Sequence, residues 1–125
     1  LICDCMIGKK RVCVIGAGPS GITAAKNLLD EGMEVVVYDY GKEVGGNWVF
    51  SEGTSHSSVF ETTHIISSKT LSQYEDFPMP ANYPDYPSHR QLAEYFQHYA
   101  RHFKLYDHIQ FNTLVEKCEL TPEKK

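Results

Sequence analysis

Residues 11–39 constrain this chain more than any other stretch. Arg11-Val12-Cys13-Val14-Ile15 reads as an apolar strand, Gly16-Ala17-Gly18-Pro19-Ser20-Gly21 as a glycine-rich turn, and 19–31 as a helix. A second strand over 34–38 then ends at the carboxylate of Asp39. Strand, turn, helix and terminal acid in register form the β-turn-α-β unit that holds the adenylate half of a dinucleotide. Gly16 permits the tight turn, Gly18 leaves room for the pyrophosphate, and Gly21 lets the helix lie close to the strand. Pro19 suits the first helical position, and the N–H groups around Ser20 and Gly21 face the phosphates with the helix dipole behind them. Asp39, 18 residues after Gly21, is placed to accept hydrogen bonds from ribose hydroxyls. Its charge repels a 2′-phosphate, and Tyr40 rather than an arginine follows it, so this site is expected to take FAD or NAD and not NADP.

The rest of the chain is consistent with one α/β unit. Its 125 residues are 42% hydrophobic and 22% charged, the balance of an ordinary globular domain. A net charge of −4 gives no electrostatic case for nucleic acid or an anionic membrane as partner. No apolar run is long enough to span a bilayer, and Leu1–Cys5 lacks the features of a secretory signal, so a cytoplasmic location is expected. Residues 1–6 read as an extraneous leader, and 7–125 as the N-terminal part of a dinucleotide-binding domain whose sheet needs further strands. The four cysteines (Cys3, Cys5, Cys13, Cys118) are expected to be free thiols rather than a disulfide framework or a zinc site.

Gly32 marks the end of the first helix. A turn-rich loop over 41–48 carries Trp48, and 51–58 is polar and reads as exposed loop. Some β character is expected over 62–66 and a short helix over 70–74. Four prolines in residues 76–87 exclude regular structure there, while their aromatic neighbours predict that the segment packs onto the domain. Ser88-His89-Arg90-Gln91 is a capping box, and Leu92, Tyr95, Phe96, Tyr99 and Phe103 line one face of the helix it opens. Two strands are expected after it, over 109–112 and 114–120. His98 and His102 have the i, i+4 spacing of a metal pair, but no third ligand accompanies them and a solvated helix face is expected. Tyr106-Asp107-His108 reads as a turn, and no nucleophile triad is supported by spacing.

Gly45-Gly46-Asn47-Trp48 resembles the GGxW element of the flavin-containing monooxygenases. Ser67-Ser68-Lys69-Thr70, the Tyr74–Pro80 segment, Tyr83–Pro87, the helix after it and Ile109–Asn112 are similar to that family in the same order. The resemblance covers about residues 7–120 and implies an FAD enzyme. In that family NADPH reduces the flavin, O2 adds at its C4a carbon, and the hydroperoxide passes one oxygen to an amine nitrogen or thioether sulfur. Carried over by position, Gly16, Ala17, Gly18, Pro19 and Ser20 hold the pyrophosphate and Asp39 the ribose. Gly46, Asn47 and Trp48 lie beside the flavin, and Ser67 lies at its ring side. An indole there supplies apolar area and one N–H donor. Where the family commonly has Asn near C4a this chain has Ile66, which cannot hydrogen-bond, so the departure bears on oxygenation even where FAD binds. The family's NADPH motif and most of its substrate channel belong to later sequence. Two alternatives stay open: another two-dinucleotide flavoprotein, of Baeyer–Villiger or amine oxidase type, and a non-catalytic fragment or pseudo-enzyme that binds an adenine dinucleotide.

Overall fold

A computed structural model describes residues 8–52, 58–120 and 122. The expected leader with Cys3 and Cys5, and most of the polar 51–58 loop, lie outside the described residues. Three parallel strands, β1 (Arg11–Ile15), β2 (Glu34–Tyr38) and β3 (Ile109–Gln110), form a sheet in the order β1-β2-β3. Val12 lies opposite Val35 and Val14 opposite Val37, while Val37 also faces Ile109. Paired residues in a parallel ladder share a face, so these valines and Ile109 form one apolar side. The other side of β1 carries Cys13 and Ile15, both exposed.

Parallel neighbours need crossovers. The first is α1 (Pro19–Asp30), which lays Ile22 and Ala25, fully buried, against β1 and β2. Burying Ile22 contributes about 1.5–3 kcal/mol. The helix ends where Gly32 N–H donates to the Leu29 carbonyl and Met33 N–H to that of Leu28. This paired arrangement satisfies carbonyls that have no intrahelical partner.

The second crossover holds everything from Asp39 to His108. Its main element is α3 (His89–His102), where Ser88 Oγ accepts the Gln91 N–H and Gln91 Oε1 accepts the Ser88 N–H. The capping box read from the sequence is therefore formed. Leu92, Tyr95, Phe96 and Tyr99 are buried along the predicted face, and the Tyr74 and Phe77 rings pack on them. The short helix α2 (Lys69–Ser72) begins one residue before the predicted one and ends two earlier.

Residues 78–87 have no helix or strand ladder, yet Met79, Tyr83 and Pro87 are buried. Their backbone is held from outside. Lys69 Nζ donates to the carbonyls of Ala81 (3.0 Å) and Tyr83 (2.6 Å). Residues 63–69 run against 85–89, with Ile65 N–H donating to Pro87 O and His89 N–H to Thr63 O. Only a single bridge, His64 to Ser88, represents the β character expected over 62–66.

The strand expected over 109–112 is cut to two residues. Asn112 adopts φ +52°, which turns the chain off the ladder, although its N–H still donates to Gly41 O and that of Thr113 to Asp39 O. Residues 114–120 form no strand. Among the described residues none pairs with them in a ladder, and Leu114 and Leu120 are 67% and 92% exposed. Cys118 is accordingly an exposed thiol outside any strand.

Candidate dinucleotide cleft

The carboxyl ends of β1 and β2 open into a cleft of about 780 Å³, within the range typical of small-molecule sites. The position is the one where open α/β sheets bind ligands. Gly16, Gly18, Pro19, Ser20 and Gly21 line one wall. Asp39 and the loop that follows it, through Gly46, Asn47 and Trp48, line the other.

Sterics decide why two of the glycines are there. A Cβ on Gly21 would sit 1.9 Å from the Gly16 carbonyl oxygen, and the helix could not start where it does. Gly46 has φ +57°, and a Cβ on it would meet the Gly18 Cα at 3.0 Å. The two glycine loops thus touch backbone to backbone. Gly18 itself is less restricted, since its Cβ would make an ordinary 3.5 Å contact with Gly46 Cα. What a side chain at Gly18 would take up is the space of the cleft.

Asp39 does more than end a strand. Its Oδ2 accepts the Ala17 N–H at 2.6 Å and its Oδ1 accepts the Gly41 N–H at 2.7 Å. Ala17 is also held from its other side, because its carbonyl accepts the Gly45 N–H at 3.1 Å. The buried carboxylate therefore ties both glycine loops to the end of β2. Each oxygen keeps a further lone pair for a ligand hydroxyl. Ala17 does not line the cleft; its side chain is buried and its peptide braces the wall.

Glu43 fixes the far end of the second loop. Its Oε1 accepts the Val44 N–H at 2.8 Å and the Tyr106 hydroxyl at 2.5 Å. Burial and the Glu43 carboxylate push the Tyr106 phenol up from its ordinary value, so it remains a donor. Tyr106-Asp107-His108 lies, as expected, in a turn, the 3₁₀ turn Leu105–His108.

Ser67 and Ile66 are not brought to this wall. Ser67 Oγ lies 2.6 Å from Ser72 Oγ, and Ile66 is 97% exposed. His98 faces Glu94 at 4.0 Å, while the His102 ring packs on Phe77 and Phe103, so the two do not form a pair aimed at one point. No cluster of three metal-ligating side chains occurs among the described residues. Sequence reasoning missed Tyr40, Lys42, Glu43 and Asn112 as cleft residues. The first three follow directly from Asp39 along one loop, a signal that was available. Asn112 enters only through the long crossover.

A family model described as flavin-binding monooxygenase-like matches residues 9–124. The chain belongs to this family. It is 39% identical over 119 residues to flavin-containing monooxygenase 5 of Mus musculus, covering 94% of this chain and 22% of that protein. With flavin-containing monooxygenase 1 of Homo sapiens the identity is 40% over 114 residues, 90% of this chain and 21% of the other. The chain thus spans about one fifth of the length of these relatives. Among solved structures it resembles S-allyl-L-cysteine S-oxygenase from Allium sativum (TM-score 0.84, 20% identity, 92% of this chain and 30% of that one). It also resembles cyclohexanone monooxygenase in an open crystal structure (TM-score 0.69, 23% identity, 82% and 20%). These likenesses confirm the Rossmann-like α/β fold as a partial unit. Family membership and the cleft agree in chemistry: open N–H groups at a helix start and a seated carboxylate match the pyrophosphate and ribose of a dinucleotide.

Proposed function

We propose that this chain is the FAD-holding part of an NADPH-dependent flavin monooxygenase that oxygenates soft nitrogen or sulfur nucleophiles. The observation that carries the reading is the convergence of the α1 start, the Gly18–Gly46 contact and Asp39 on one cleft. Within it, the N–H groups at the start of α1, around Ser20 and Gly21, hold the pyrophosphate. Asp39 takes the ribose hydroxyls while keeping Ala17 and Gly41 in place. Gly46, Asn47 and Trp48 border the flavin side, the indole excluding water from one edge. The flavin, when bound, supplies reduction by NADPH and activation of O2 for transfer of one oxygen atom. NADPH takes a second site, since Asp39 repels its 2′-phosphate here.

A relative named dimethylaniline monooxygenase [N-oxide-forming] 2, of Rattus norvegicus and 36% identical over 116 residues, supports nitrogen as an atom that is oxygenated. Ile66 supports a second reading, binding of FAD without productive oxygenation, because a 97% exposed isoleucine offers no hydrogen bond. The test is to titrate the purified protein with FAD and follow quenching of flavin fluorescence. Saturable uptake at one site is expected, and no uptake overturns the proposal. In the full-length protein, N- or S-oxide from a tertiary amine or thioether supports oxygenation, whereas NADPH consumption that yields only H2O2 supports the second reading.

A further inference from the structure

The Tyr74–Pro80 segment lies outside the cleft, yet one of its side chains reaches the cleft wall from behind. The Tyr74 hydroxyl donates to the Pro19 carbonyl at 2.9 Å, across 55 residues of sequence. Pro19 is the first residue of α1 and, with Ser20, lines the cleft. We propose that Tyr74 is a positioning residue for the phosphate-binding peptide between Pro19 and Ser20. The inference rests on the dinucleotide reading of the cleft.

The physical link is the peptide unit itself. In a planar trans peptide the Pro19 C=O and the Ser20 N–H point in opposite directions. A hydroxyl on that oxygen, beside the helical Thr23 N–H, narrows the orientation of the plane and hence the direction of the Ser20 N–H. It also polarises the unit, making the N–H a stronger donor by about 10–30%. The Ser20 N–H is one of the first-turn donors that have no partner within the helix. Thr23 Oγ1 lies 3.0 Å from Pro19 O and 2.9 Å from Ser20 O, but its one proton serves only one of them at a time. Tyr74 supplies the Pro19 bond in either case.

Tyr74 is itself held rigidly. Its ring packs at 4.8 Å from that of Tyr99 and 5.8 Å from that of Tyr95. Its N–H donates to the Tyr95 hydroxyl at 2.8 Å, and that hydroxyl donates to the Phe77 carbonyl at 2.5 Å. Burial raises the Tyr74 phenol above its ordinary ionisation range, so the proton stays available for donation. The aromatic segment thereby sets the geometry of an anion site that it does not touch.

Tyr74→Phe removes the hydroxyl and keeps the ring. Dissociation constants for FAD, ADP and adenosine are compared with those of the unaltered protein, along with the amide proton shift of Ser20. The expected result is about threefold to tenfold weaker FAD and ADP binding, the effect of one hydrogen bond. Adenosine, which has no phosphate, should bind unchanged, and the Ser20 amide proton should move upfield. Equal losses for adenosine and ADP would mean general loosening and would overturn the inference, as would unchanged ADP affinity. Should Tyr74→Phe fail to fold, 3-fluorotyrosine at position 74 tests the same bond with a stronger donor of nearly the same shape. It should tighten ADP binding relative to adenosine, and no change in that ratio overturns the proposal. An unaltered protein that binds none of the three refutes the dinucleotide reading itself and this inference with it.

Discussion

Gly21 has the least freedom of any residue around the cleft. Its missing Cβ would overlap the Gly16 carbonyl oxygen at 1.9 Å, and backbone on both sides leaves nothing to yield. Gly21→Ala should therefore cost about 4 kcal/mol or more in urea unfolding, the range of severe overpacking. Gly18→Ala separates fold from function. Gly18 has φ −76°, allowed to any residue, and its Cβ would meet only an ordinary contact. The variant should keep its FAD-free stability within about 1 kcal/mol and lose FAD uptake, because the methyl enters the pyrophosphate space. Retained FAD affinity would show that the pyrophosphate does not pass there. Asp39 joins the two roles that Gly18 separates. Asp39→Ala should weaken FAD binding by about 1–3 kcal/mol, the range for hydrogen bonds to a charged acceptor. It should also lower the FAD-free melting temperature, because the Ala17 and Gly41 N–H groups lose their acceptor. A changed affinity with an unchanged melting temperature would mean that the loops do not depend on the carboxylate.

Among the elements, α3 was the most legible in the sequence and 114–120 the least. A helix is written locally: Ser88 and Gln91 cap each other within three residues, and the apolar spacing needs no partner to declare itself. A strand exists only against another strand, so the apolar residues Leu114, Val115, Cys118 and Leu120 could not reveal that no described segment pairs with 114–120. The aromatic face of α3 carries a measurable consequence. Burial pushes Tyr83 and Tyr99 up to about 12, and raises Tyr74, Tyr95 and Tyr106 as well. In the unfolded chain these phenols ionise near 10, so above that pH the unfolded state binds fewer protons than the folded one. Stability is therefore fully present below pH 10 and falls as pH rises beyond it. Absorbance at 295 nm should show most tyrosinate appearing late and together with unfolding. A simple titration of all eight tyrosines near pH 10 with the fold intact would contradict the packing of this cluster.

At the scale of the whole molecule, both glycine loops of the cleft were readable and the contribution of the returning chain at Asn112 was not. Gly16–Gly21 and Asp39 are fixed by the local strand–turn–helix pattern. Asn112 reaches the cleft only because β3 returns beside β2 after a crossover of about seventy residues, a distance no local pattern reports. The same accounting limits what these 125 residues do by themselves. Hydride transfer needs a nicotinamide set over the flavin by its own nucleotide site. The chain has a single GxGxxG, at Gly16, Gly18 and Gly21, and on the proposed reading Asp39 reserves that loop for a dinucleotide without a 2′-phosphate. Among the described residues, a second recess of about 310 Å³ lies at Arg101, Lys104, Tyr106 and Asp107, away from the glycine loops. Among the described residues nothing covers the sheet face bearing Cys13 and the 61% exposed Ile15, and protecting a reactive flavin from water takes a closed cavity. The 125-residue chain given FAD, NADPH, O2 and a tertiary amine or thioether should thus form no oxide above an FAD-only control. Product above that control would place the nicotinamide site within these residues and refute the assignment of the single cleft to FAD.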